Sequence, residues 1–264
     1  MLLHTDQIGR YVEISSPPKR IISLVPSITE LLSDLGLDNE TVGITKFCIH
    51  PEAWFRSKTR IGGTKSVHID QIRALQPDLI LANKEENVQE QVNELTKYCP
   101  VWISDISNLE EALQMIQSVG EITETTSKSD ELISTIREKF LLLSLKPISP
   151  IKTAYLIWQK PFMTVGADTF IHDMMNYCGF DNIFSNKTRY PETSIDELQS
   201  LGVELLLLSS EPFPFQQKHI VELQEYLPQT KILLVDGEMF SWYGSRLLLA
   251  VDYFERLIVK IGEP

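Results

Sequence analysis

The sequence predicts an α/β protein of two related lobes with mainly parallel sheets. Three observations predict it: a segment that occurs twice, strand patterns alternating with helical ones on either side of a long amphipathic run, and enough apolar material for two cores. The first copy reads Ile69-Asp70-Gln71-Ile72-Arg73-Ala74-Leu75-Gln76-Pro77-Asp78-Leu79-Ile80-Leu81-Ala82. The second, 126 positions later, reads Ile195-Asp196-Glu197-Leu198-Gln199-Ser200-Leu201-Gly202-Val203-Glu204-Leu205-Leu206-Leu207-Leu208. Ile, Asp and three Leu coincide, Glu204 answers Asp78, and the register continues to Glu85 and Glu211. Each copy reads as a short helix opened by an acidic residue, a Pro or Gly break, and an apolar strand. Two lobes of like build leave a cleft, where small-molecule sites are usually found.

The elements follow in order. Arg20–Val25 is a buried-strand pattern running into a helix, where Ser27 and Glu30 have capping-box spacing before Leu31, Leu32 and Leu35, and Gly36 ends it. Strands are expected at Thr41–Thr45, Leu79–Ala82 and Val101–Ser104, the alternation implying a parallel sheet. Ser107 and Glu110 suggest another capping box, for a helix around Ala112–Gly120. From Glu124 to Leu145 the residues Leu132, Ile133, Ile136, Phe140 and Leu141 recur at helical spacing. That helix would run about 30 Å at 1.5 Å per residue, long enough for a rigid backbone joining the lobes. Lys146-Pro147-Ile148-Ser149-Pro150 stops it with two prolines. The second lobe repeats the alternation: strand Thr153–Trp158, helix Thr169–Cys178 before Gly179, helix Ile195–Leu201, strands Leu205–Leu208 and Lys231–Val235, and a final helix Arg246–Ile261. The expected organisation is residues 1–122 for the N-terminal lobe, 123–147 for the connecting helix and 148–264 for the C-terminal lobe.

At 264 residues, with 43% hydrophobic and 23% charged, the chain has material for one large domain or two ordinary lobes. A net charge of −12 argues against nucleic acid, whose binding draws on clustered Lys and Arg. Cys48, Cys99 and Cys178 form no CxxC and leave one over if two pair, so free, buried thiols are expected. Met1–Asp6 shows no basic stretch leading into an apolar one, so no secretory signal is read there. No apolar run approaches the roughly 20 residues of a membrane helix. Any membrane association would go through a partner.

Taken together, Arg20-Ile-Ile-Ser-Leu-Val-Pro-Ser-Ile-Thr-Glu30, Leu75-Gln-Pro-Asp-Leu-Ile-Leu81, Pro161-Phe-Met-Thr-Val-Gly166, Cys178-Gly-Phe-Asp-Asn-Ile-Phe184 and Ser241-Trp-Tyr-Gly-Ser-Arg246 carry a resemblance over nearly the whole chain. It resembles the helical-backbone (class III) substrate-binding proteins of ABC importers, which take up cobalamin, ferric siderophores and haem, and is closest to their cobalamin-binding branch. The resemblance implies two three-layer α/β lobes joined by one long backbone helix, a ligand in the cleft, and an ABC permease with its ATPase as partner. It implies a periplasmic or cell-envelope place, with the cytoplasm left open by the missing signal, and a monomer. No covalent cofactor and no metal site of the chain's own are expected; the bound ligand would be a corrinoid such as cobalamin or another metal chelate.

Ligands of open parallel sheets lie beyond the carboxyl ends of the strands, which selects Ser27, Phe47 to His50, Glu85, Glu86, Phe162, Glu211 to Phe213, Trp242 and Tyr243. The resemblance implies a cleft lining for Phe162 and a flat stacking wall for Trp242 and Tyr243 in an exposed loop; ordinary core packing is the other reading. His50 is either an axial ligand to cobalt or iron or a loop histidine with an ordinary hydrogen bond. Glu85, Glu86 and Glu211 either accept from ligand amides, coordinate a hard cation, or are solvated loop charges. Arg246 either pairs with a ligand phosphate or carboxylate or lies at the surface at a helix start. Cobalamin-binding relatives place a Trp near Thr64 or Lys65, which this chain lacks, so its N-terminal contacts differ. The resemblance makes Asp70 and Asp196, with Glu197 as a substitute, the acids that dock with permease arginines; the helix dipole alone also favours Asp there.

The sequence has no GxSxG, HExxH, P-loop or GxGxxG, and His4, His50, His68, His172 and His219 show no metal-ligand spacing. An enzyme would need something like a Cys48-His50 site completed across a cleft. A third class, an intracellular corrinoid or metal-complex chaperone, would use the same cleft without a transporter. The reading carried forward is a binding protein that captures a metal chelate, cobalamin or another corrinoid first, ferric siderophore or haem as the alternatives.

Overall fold

The computed structural model describes residues 1–14, 17–145 and 149–262. Lys146, Pro147 and Ile148, and with them the first proline of the helix stop and the expected lobe boundary, lie outside the described residues. The chain forms two compact units: Met1–Ile106 with Glu110–Ile136 and Trp242–Arg246, and Ser107–Leu109 with Arg137–Ser241 and Leu247–Pro264. The sequence reading assigns residues 148–264 to one lobe, but Trp242–Arg246 group with the first unit, because the side chains of this short segment find their partners there.

The first unit is built on a five-stranded sheet, in the order Thr59–Arg60, Thr41–Ile44, Ile21–Ser23, Leu79–Asn83, Val101–Ser104, every pair parallel. The second has a four-stranded sheet, Phe180–Asn182, Ile151–Leu156, Leu205–Ser209, Lys231–Val235, also parallel throughout. Leu79–Asn83 and Leu205–Ser209 are buried along their whole length, as expected of inner strands of parallel sheets.

The repeat is structural. Ile69–Ala74 and Ile195–Ser200 are both helices, each followed by its strand. The turn between them needs a left-handed residue in both copies, supplied by Gln76 (φ 48°) and Gly202 (φ 69°). Asp78 accepts the amides of Lys19 and Arg20 at 2.7 and 2.8 Å, tying its strand's entry to the neighbouring one. Glu204 does the same for the amide of Lys152 at 2.9 Å. At the far end, Asn83 Oδ1 accepts the amides of Glu85 and Glu86 (2.8 and 3.0 Å), and Ser209 Oγ accepts that of Glu211 (3.3 Å). Glu85 and Glu211, the acids that follow the two strands, are thus held by like side-chain turns.

Three expectations are corrected. The helix Pro26–Asp34 has Val25 as N-cap with no side-chain cap bond, because Pro26 opens it and carries Ser27 inside the first turn, so there is no Ser27–Glu30 capping box. Gly36 (φ 81°) follows this helix as expected. The long helix runs Thr126–Ser144 over 19 residues, with Ile133, Ile136, Phe140 and Leu143 buried while Leu141 faces out. The inward stripe steps from 136 to 140 to 143, which turns 141 away. The strand from Ile151 ends at Leu156, and Trp158 instead forms an isolated bridge with Met163.

Short elements with weak patterns complete the fold: an antiparallel hairpin of Leu2–Thr5 and Tyr11–Ile14, helices Glu52–Ser57, Gln89–Leu95 and Gln217–Tyr226, and the antiparallel pair Phe162–Met163 with Glu192–Thr193. All three cysteines are free and buried. Among the described residues no helix is long and apolar enough to cross a membrane.

Candidate functional site

In the first unit the loop after Thr41–Ile44 is pinned from below. Cys48 Sγ lies 3.0 Å from Thr29 Oγ1 and 3.2 Å from Thr45 Oγ1, and Thr45 Oγ1 accepts the Phe47 amide at 3.3 Å. With Cys48 fully buried, Phe47 is turned outward and is 50% exposed. Burial pushes the Cys48 thiol up, away from the thiolate a nucleophile requires. His50 is half-buried, its ring edge-on to Trp242 at a centroid distance of 5.7 Å.

Trp242–Arg246 lies against this loop and the helix Pro26–Asp34. Arg246 donates from Nε and Nη2 to both carboxylate oxygens of Glu30, at 2.8 and 2.7 Å, and its guanidinium sits 5.0 Å from the Trp242 ring centroid. Burial raises the Glu30 carboxyl while Arg246 pulls it back. The Tyr243 hydroxyl donates to Glu86 at 3.1 Å, and burial together with the Glu86 charge raises the phenol, keeping it a donor. Gly244 (φ 107°) brings the backbone close to Ser27, whose carbonyl oxygen would be 3.2 Å from any β-carbon there.

Ser27, His50, Glu86, Trp242, Tyr243 and Arg246 therefore form one cluster, with Glu85 on the same Asn83 turn. The expected exposed loop is overturned: Trp242, Tyr243 and Arg246 are 7%, 5% and 6% exposed. The surface reading of Arg246 falls with it, since a buried guanidinium needs an acid, and Glu30 supplies one.

The second unit gathers Phe162, Glu211 and Phe213. Phe162 lies on its two-stranded ribbon, partly buried against the core cluster around Leu206 and Leu208. Phe213 packs edge-on to Phe215 at 4.8 Å and to Trp158 at 5.7 Å. Glu211 accepts from Ser241 Oγ at 2.7 Å. Trp158, 40% exposed beyond the strand's carboxyl end, is a candidate platform missed by the sequence reading, which placed it inside the strand. The sequence pattern gives Glu30 only a capping role, since its partner Arg246 is 216 positions away.

Asp70 is fully exposed, 3.8 Å from the Arg73 guanidinium, and Asp196 is exposed too. Glu197, expected as a substitute for Asp196, is engaged within its own unit. Its amide donates to Ser194 Oγ, and its carboxylate accepts from Lys187 Nζ at 2.6 Å and Thr193 Oγ1 at 2.9 Å. Among the described residues no three His, Cys, Asp or Glu are grouped to hold a metal ion.

Parallel-sheet α/β units of like build, with aromatic and acidic side chains beyond the strand ends of each, define a solute-binding class of protein. The chain belongs to the periplasmic binding protein family, which matches residues 21–225. It is similar to the vitamin B12-binding protein of Vibrio parahaemolyticus, 25% identical over 199 residues that cover 74% of this chain and 72% of that one. Among solved structures it resembles the periplasmic vitamin B12-binding protein BtuF of Vibrio cholerae, with a TM-score of 0.78, 20% identity and coverage of 94% and 99%. The periplasmic haem-binding protein RhuT of Roseiflexus sp. RS-1 is alike in fold to the same degree, with a TM-score of 0.79, 17% identity and coverage of 93% and 99%.

Proposed function

We propose that the protein is the substrate-binding component of an ABC importer, working in the periplasm or cell envelope, and that it captures a corrinoid, cobalamin first. The observation that carries the reading is the family match combined with a relative named for vitamin B12 binding. The side chains support it: Phe47 and Trp158 are exposed aromatic faces beyond the strand ends, suited to a large conjugated ring. Binding is non-covalent and rests on ring burial, worth about 25 cal/mol per Å² of apolar surface before the ordering costs of association. Asp70 and Asp196, exposed at the start of the two repeated helices, dock with arginines of the permease. Haem and ferric siderophores are the alternative cargo of the same fold.

The test is tryptophan fluorescence titration, checked by calorimetry, with cyanocobalamin, cobinamide, haemin and a ferric hydroxamate. Saturable one-to-one binding of a corrinoid, weakened in Phe47→Ala and Trp158→Leu, is expected. Binding of haemin or the hydroxamate alone would reassign the cargo. Binding of none would overturn the reading.

A further inference from the structure

The exposed ring of Phe47 does not stand alone. Lys46 Nζ lies 5.0 Å from its centroid, and both side chains rest on Gly63. A β-carbon at Gly63 would be 3.2 Å from Phe47 Cε2 and 3.3 Å from Lys46 Cε, so any side chain there would displace both by a few tenths of an ångström. The Lys46 amide donates to the Gly62 carbonyl at 2.8 Å, binding the loop to the Gly62–Val67 hairpin. A second ammonium, Lys65 Nζ, sits on that hairpin and donates to the carbonyl of Glu85 at 2.5 Å. Of the acids after the next strand of the repeat, Glu86 accepts from Tyr243. On a chain of net charge −12, this corner pairs an aromatic face with ammonium groups.

We propose that Lys46 is a specificity residue: with Phe47 on the Gly63 seat, it selects a conjugated metal macrocycle that carries a peripheral carboxylate over the same macrocycle with that group neutral. The inference rests on the receptor reading above and ranks ligands within it: cobalamin, whose periphery carries neutral amides, below its own monocarboxylate, and haemin, the alternative cargo, above its ester. The exposed part of the ring offers stacking surface to the macrocycle, and the ammonium held over the ring, on a flexible exposed stem, swings out to give charge-assisted hydrogen bonds to an acid at the macrocycle's edge.

The test uses two ligand pairs that differ only in charge: cyanocobalamin against its monocarboxylate, made by hydrolysing one peripheral amide, and haemin against its dimethyl ester. Calorimetry compares the protein with Lys46→Gln, an exposed substitution that leaves Phe47 in place. The variant is expected to bind the acidic member of a pair about three- to fivefold more weakly and the neutral member within about twofold. Salt shrinks that difference. Equal losses for both members, or none, in a protein that does bind would overturn the charge selection and leave the receptor reading intact. No binding of any probe by the unaltered protein overturns both.

Discussion

Arg246 and Glu30, 216 positions apart in sequence, meet through two parallel hydrogen bonds inside the first unit. The pair is flanked by the Trp242 ring on the guanidinium side. Removing one partner strands the other, whereas removing both does not. Arg246→Ala is expected to lower the unfolding free energy by about 3–5 kcal/mol, and Glu30→Leu/Arg246→Met by clearly less. Urea unfolding of the variants decides; equal losses would mean that Arg246 acts by packing alone.

The turn shared by the two repeat copies predicts opposite responses. Gly202→Ala places a β-carbon at φ 69° and should cost about 1–2 kcal/mol. Gln76→Gly relieves φ 48°, and the gain is offset by the freer unfolded chain. It should leave stability unchanged or raise it by up to about 1 kcal/mol. A destabilised Gln76→Gly would show that the glutamine side chain, not its backbone, matters.

The Lys187 bond holds the Glu197 carboxyl below its ordinary value. A depressed acid contributes stability above its unfolded value, near 4.5, and loses it as the pH falls through the folded value. The ion pair is partly exposed, so the contribution is at most about 1 kcal/mol. Glu197→Gln should therefore melt below the unaltered protein at neutral pH, and the gap should close in acid. A gap as wide at about pH 3 as at pH 7 would rule out the charge as its source.

Burial pushes all three thiols up, Cys99 to about 12. In the folded protein none should react with a disulfide reagent at about pH 8, and all three should react in denaturant. Rapid labelling of one native thiol would single it out as accessible.

The sheets were legible because inner parallel strands are continuous apolar runs, as Leu79–Asn83 and Leu205–Ser209 are, and the edge strands Val101–Ser104 and Lys231–Val235 also fall where the sequence puts them. The repeat was legible because its acids do the same structural work twice. What escaped was whatever depends on partners distant in sequence. Nothing local distinguishes Glu30 as an ion-pair acid from Glu30 as a cap, and Ser241-Trp242-Tyr243-Gly244-Ser245, polar and glycine-bearing, reads as an exposed loop. Its burial comes from Glu30, His50 and Glu86, which local pattern cannot bring together. Phe47 was visible as a candidate, but the Gly63 seat beneath it was not.

The first unit takes its last five residues from near the end of the chain. During synthesis, then, its sheet can assemble while Glu30 and Glu86 still await Arg246 and Tyr243. Completion of the first half of the molecule is deferred until nearly all of the second half has left the ribosome. A nascent chain arrested before residue 242 should hold the N-terminal half in a looser, protease-sensitive form that tightens only on release of the final helix.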